Sequence, residues 1–341
     1  MARAPIASAA SYTIFKGWAY TALQENAALS VGRKARLLFR ECYARPVISD
    51  VALKTPLQHK DLLYAMEALT NAVGNRRASL QGAGAMDVLG SAMEYRRALA
   101  EPGTLLSDHA IQATKGYLHV YRQDEQAPGA NWRIGVNVIP TAIPEATRRM
   151  TRIADVNANA DHFKVTSPGS AGKPSSLILY MLKDAEYAPT RDAVLVAMQG
   201  LRLQETVSPM WNEIVLGIGE ASEPPQVTWP LLGGGVEYMS FGQYRCILTA
   251  MAFDDAVANV AEDIPADLTL EQFSAAVDIM FPRYGVPILS PHSQDQIDTE
   301  DYTYNSTEIV AFMQAYAGFQ DRGANTYTNA RAVLRNNPEI V

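Results

Sequence analysis

The chain has 341 residues, 48% of them hydrophobic and 19% charged, with a formal net charge of −7 and two cysteines, Cys42 and Cys246. That length suits one large domain or two ordinary ones, and that balance suits a globular protein rather than a disordered or fibrous one. The acidic surplus argues against a surface given over to nucleic acid, and two cysteines cannot build a disulfide framework or a four-cysteine zinc site.

No apolar run approaches the length of a membrane span, and the opening MARAPIASAASYTIF has too short an apolar core for a secretory signal peptide. A protein of a reduced cytosol is therefore expected, without a membrane partner. Tyr12, Phe15, Trp18, Ala19, Ala22 and Leu23 form a helical stripe within 12–30, and Val31, Leu37, Leu38 and Tyr43 continue it in a second helix over 29–43. The proline of ARPVISD ends that run. Residues 60–74 have a strong helical period closed by Gly74, and 85–99 fit a further helix, so the first hundred residues read as mostly α-helical.

From Lys115 to Tyr121 the chain alternates as a strand, with Tyr117, His119 and Tyr121 on one face. His119 is a candidate site acid, set against the plainer role of a hydrogen-bonded structural histidine. The densest stretch runs from Asn131 to Leu182. Ile134, Val136 and Val138 alternate with Arg133, Gly135 and Asn137, which predicts a strand with Arg133 and Asn137 sharing the face away from the core. Ile143, Ala146, Met150, Ile153 and Ala154 predict a helix over 143–156 lying on the sheet. His162-Phe163-Lys164-Val165 alternates again, and 177–182 is an apolar run of strand length. Between them SPGSAGKP must turn back, carrying Lys173.

Arg133, Lys164 and Lys173 could thus converge at one end of a small sheet. A lysine on a partly buried strand among other cations has its ammonium form disfavoured and becomes usable as a base. The plainer alternative is a Lys164 that faces solvent on a half-exposed sheet.

Beyond this stretch, Pro189 stands near the start of a helix running through Leu203, followed by a Pro/Gly-rich loop over 222–246 whose aromatic residues favour packing. Helices are predicted over 246–261, 269–281, 307–319 and 328–334, the second with Thr269 and Glu271 at its polar start. The predicted fold is α+β: a helical part, 1–110, packed on a small, mostly antiparallel sheet, with the sheet and further C-terminal helices in 111–341, all as one compact unit. Gly233 to Gly235 are not followed by the Gly-Lys-Ser/Thr of a phosphate loop, and no GxGxxG, HExxH or GxSxG occurs. The five histidines, His59, His109, His119, His162 and His292, have no metal-ligand spacing, so neither metal nor cofactor is expected.

Several segments resemble those of a known family: LFRECYARP (38–46), ALTNAVGNR (68–76), WRIGVNVIP (132–140), DHFKVTSP (161–168), SLILYML (176–182), SFGQYRC (240–246) and YGVPILSPHSQD (284–295). In order and spacing they resemble the HopA-type bacterial type III effectors, whose relatives serve as lyase partners in class V lanthipeptide biosynthesis. That family is similar in turn to the phosphothreonine lyases, which remove phosphate from phosphothreonine or phosphoserine by β-elimination. The resemblance implies Lys164 as the base that takes the Cα proton, Tyr180 as an active-site tyrosine and Arg133 at the place of a phosphate-side lysine. On the same resemblance Lys173 and Arg245 are expected as further phosphate ligands, the latter only by its place in SFGQYRC. The family's acid, a histidine, falls on Gly135 and is missing here. Tyr180 and His119 are the candidate replacements, and Asn137 can donate a hydrogen bond on the same face but cannot transfer a proton at neutral pH.

The activity so implied is a phosphoserine or phosphothreonine lyase yielding dehydroalanine or dehydrobutyrine. Its partners would be a phosphorylated peptide or protein and a separate kinase, with no nucleic acid. Its location would be the bacterial cytoplasm, or the host cell for an exported effector. The alternative is a non-catalytic phosphopeptide-binding module that keeps the anion pocket without the acid.

Overall fold

The computed structural model describes residues 5–43, 76–80, 117–122, 130–157, 159–166, 174, 176–183, 185–205, 207–224, 227–228, 236–237, 240–260 and 268–295. The helices expected over 60–74, 85–99, 307–319 and 328–334 lie outside these residues, as does Lys173. The described elements are helices α1 (Ser8–Gln24), α2 (Val31–Leu38), α3 (Ile143–Val156), α4 (Tyr187–Ala197), α5 (Phe241–Val260) and α6 (Leu270–Arg283). The longer strands are β1 (Arg76–Leu80), β2 (Tyr117–Arg122), β3 (Trp132–Val136), β4 (Ala160–Thr166), β5 (Leu177–Met181), β6 (Asn212–Val215) and β7 (Ile218–Ser222). A two-stranded ribbon of β8 (Val227–Thr228) and β9 (Val236–Glu237) completes the set. Helices before and after the strands of an antiparallel sheet along the sequence make the fold α+β.

The chain divides into two units that interleave along the sequence: one of 1–5, 46–208 and 212–221, the other of 6–45, 209–211 and 222–341.

In the first unit the strands run in the order β1-β2-β4-β5-β3-β7-β6. β1/β2, β2/β4, β4/β5, β5/β3 and β6/β7 pair antiparallel. Alternation decides what each face carries. Trp132, Ile134 and Val136 of β3, Phe163 and Val165 of β4, and Leu177, Leu179 and Met181 of β5 form one buried apolar face. Against it pack Ile143, Ala146, Met150, Ile153 and Ala154 of α3 and Val194 of α4, the α3 set being that expected from helical spacing. Burying each large side chain here contributes about 1.5–3 kcal/mol, which fixes the register because a one-residue slip would expel all of them. α4 ends at Ala197, not at Leu203, with turns following to Gly200, whose φ of +79° suits a residue without Cβ.

The β6–β7 hairpin was not expected from the sequence. Its turn residue Gly217 has φ +77°, and a Cβ there would stand 2.3 Å from the carbonyl oxygen of Gln204. Only glycine lets the turn come this close, and the Gly217 carbonyl then accepts a 2.7 Å bond from the Asn137 N–H just past the end of β3.

In the second unit α1 meets α6 through Asp278, whose carboxylate accepts from the Tyr12 hydroxyl (2.8 Å) and from Lys16 Nζ (2.7 Å). Thr269 caps α6 with a complete capping box, in line with the polar start expected there. α2 runs into a π-helical turn, Phe39–Tyr43, and α5 packs on α2, on that turn and on α6. The Tyr43 ring lies so close to Gly242 that a Cβ there would come within 2.1 Å of it. That approach explains the glycine at the second position of α5, which starts at Phe241 rather than Cys246.

Candidate active site

The same alternation that makes the apolar face of β3–β5 collects the polar residues on the opposite one. The register sets Arg133 opposite Tyr180 and Tyr180 opposite His162, so the three form a row across β3, β5 and β4. Two residues along, Gly135, Ile178 and Lys164 form the next row. Residues opposite one another in an antiparallel ladder hold their Cβ atoms about 4.5–5.5 Å apart, close enough for side chains to meet.

They do meet, on the Tyr180 ring. The Arg133 guanidinium carbon lies 5.1 Å from its centroid and Lys164 Nζ 5.4 Å. Both distances are within cation–π range. The His162 ring stacks on Tyr180 with centroids 4.2 Å apart and planes 9° from parallel. His162 Nδ1 is 2.8 Å from Asp161 Oδ2. Arg133 is 2% exposed and Tyr180 8%, whereas Lys164 is half-buried and the His162 side chain is 15% exposed. The row is therefore anchored in the interior at Arg133 and reaches towards solvent at β4.

A strict pleat would send Asp161 and His162 to opposite faces. The β4–β5 register shifts between Ala160 and His162, and this irregularity at Asp161 lets its carboxylate turn back onto the neighbouring imidazole.

The structure brings Arg133, Lys164 and Tyr180 together as candidates on one face. His119 of β2 sits at the register position directly opposite Lys164. Asn137 is on the same face but is engaged in holding the fold. It is 1% exposed, its side-chain oxygen accepts from the Ser176 hydroxyl at 3.1 Å, and its carbonyl accepts from Gln204 N–H at 2.7 Å. Arg245 is placed differently: it belongs to α5 in the other unit, has no exposed surface, and donates to the carbonyls of Pro291 (2.8 Å) and Ser293 (2.9 Å). Its guanidinium carbon stands 3.5 Å from the Phe241 ring centroid. SFGQYRC is thus the first two turns of a core helix, and the geometry of Arg245 is that of a clamp on the segment after α6.

His162 was not among the site residues expected from the sequence, although the signal was present. In Asp161-His162-Phe163-Lys164 the period that puts Lys164 on the polar face puts His162 there too. Among the described residues no group of His, Cys, Asp and Glu is arranged to hold a metal ion, and no helix is long and apolar enough to cross a membrane. The face thus gathers an amine, a guanidinium, a phenol and an imidazole.

The α+β architecture defines the class of fold that comparison with solved structures then narrows. No protein-family model matches the chain, and no curated protein does so at a significant level. It shares its fold with effector proteins from Pseudomonas syringae pv. syringae strain 61 and pv. tomato strain DC3000. Each superimposes with a TM-score of 0.56 at 15% identity, covering 85% of this chain and 99% of the effector.

Proposed function

We propose that the protein is a phosphoserine or phosphothreonine lyase that removes phosphate from a peptide by β-elimination. The observation that carries this reading is the meeting of Lys164 and Arg133 on the Tyr180 ring, on one face of the sheet. Lys164 takes the Cα proton and Arg133 holds the phosphate, stabilising the charge that develops as the Cβ–O bond breaks. The fold shared with bacterial effectors supports the same reading, in which the protein acts in the bacterial cytoplasm on a peptide phosphorylated by a separate kinase, or in a host cell after export.

Incubation with phosphoserine and phosphothreonine peptides is expected to remove the elements of phosphoric acid and leave a dehydro residue that takes up an added thiol, read by mass spectrometry. Hydrolysis to the free hydroxyl would rule elimination out. One observation favours a second reading, a phosphopeptide-binding module: Gly135 brings no side chain to the row of Lys164. Retention of a phosphopeptide without any turnover would favour that module.

A further inference from the structure

We infer that His162, aligned by Asp161, is the proton donor to the departing phosphate, the role for which the sequence offers no histidine at Gly135. The inference rests on the lyase reading above and adds a residue that the reading itself does not need. Three features of the face support it. His162 and Lys164 are two apart on β4, so their side chains leave the same face. His162 and Arg133 occupy the two register positions on either side of Tyr180, so the imidazole and the guanidinium belong to one row with the phenol ring between them. The irregularity at Asp161 supplies a carboxylate 2.8 Å from Nδ1. A carboxylate on one ring nitrogen fixes the orientation of the ring and leaves Nε2 as the nitrogen through which a proton is exchanged.

The step balances as follows. Neutral Lys164 Nζ takes the Cα proton, the C–H electron pair becomes the Cα=Cβ double bond, and the Cβ–O pair leaves on the bridging oxygen. Imidazolium Nε2–H protonates that oxygen, so phosphate departs as the hydrogen phosphate dianion. Lysine ends as ammonium and histidine as neutral imidazole, and exchange with water restores both. Asp161 is a positioning residue, since it acts through the imidazole.

The charged and titratable groups around His162 are Asp161 and Lys164 on its own strand, Tyr180 from β5 and, beyond that ring, Arg133 from β3. Tyr121 of β2 holds the register position opposite it. A donor in this setting makes the rate fall as pH rises through the histidine's titration.

The test compares wild type, His162→Gln, Asp161→Asn and Lys164→Ala on one phosphothreonine peptide across about pH 5.5 to 9. His162→Gln is expected to lose roughly 10²-fold or more in turnover and to lose the alkaline fall in rate, with peptide affinity and melting temperature near wild type. Asp161→Asn should lose less, since the imidazole stays and only its alignment is weakened. Free imidazole should restore part of the rate to His162→Gly. If wild type eliminates phosphate and His162→Gln keeps its rate and pH profile, this inference alone is overturned. If wild type fails to eliminate phosphate under conditions where it binds the peptide, the lyase reading falls and takes the inference with it.

Discussion

Two arginines lie almost wholly out of solvent, Arg133 at 2% and Arg245 at 0% exposure, each with its guanidinium over an aromatic ring. Their neighbours separate them. Arg245 faces backbone carbonyls, fixed dipoles that compensate a buried charge and hold the chain at Pro291 and Ser293. Arg133 faces a ring shared with an amine and an imidazole, groups that change protonation. Burial and a cation–π contact are thus common to a structural clamp and a candidate site, and it is the titratable company that distinguishes them.

The largest effect expected from breaking this contrast is at Lys164. Lys164→Ala should lower phosphopeptide turnover by about 10³-fold, equivalent to about 4 kcal/mol of barrier, while sparing phosphate binding and the melting temperature. Arg245→Met should do the reverse. Its carbonyl partners would lose their charged donors at a cost of about 3 kcal/mol, read as a lower urea midpoint, with turnover per folded molecule unchanged. A loss of turnover in the folded fraction would return Arg245 to the site.

The smallest effect sharpens the structural side. Lys34, over the Phe253 ring, pairs with Asp254, whose pKa is raised by burial despite the lowering influence of that lysine. A carboxyl raised on folding holds its proton more tightly in the native state, so its contribution to stability declines as pH rises from the ordinary carboxylate range through the raised value. Replacing the pair by Lys34→Met with Asp254→Leu should leave stability within about 1 kcal/mol at neutral pH. It should also remove that decline, measured by urea unfolding at several pH values.

The legible parts of the fold were those where one period persists. α3 and the strands β3, β4 and β5 stand where alternation and helical spacing place them, because each buries a complete apolar face. The β6–β7 hairpin escaped notice because Asn212-Glu213-Ile214-Val215 and Ile218-Gly219-Glu220-Ala221 do not alternate cleanly, and its turn depends on space beside Gln204 that only the folded chain reveals. β1 carries Arg76-Arg77-Ala78-Ser79-Leu80, with little β propensity, and is a strand through its pairing with β2. α5 began earlier than expected because Gly242, read as a loop residue, answers to the Tyr43 ring. For the site, alternation gathered Arg133 and Lys164, whereas Arg245 came from a short segment match and stands in the other unit. The irregularity that couples Asp161 to His162 departs from periodicity, so no periodic reading could supply it.

The interleaving of the two units has a consequence for how the protein is made. Helix α1 leaves the ribosome well before α6, and Lys16 and Tyr12 find Asp278 only after some 260 further residues, at separations of 262 and 266. The segments of the sheet unit, 46–208 and 212–221, are complete before α5 and α6 exist. A sheet unit that folds first shortens the free loop between α1 and α6, which lowers the closure entropy that joining them must overcome. Until then α1 carries Phe15, Ala19 and Leu23, all fully buried in the finished molecule, on a nascent chain with no core to receive them.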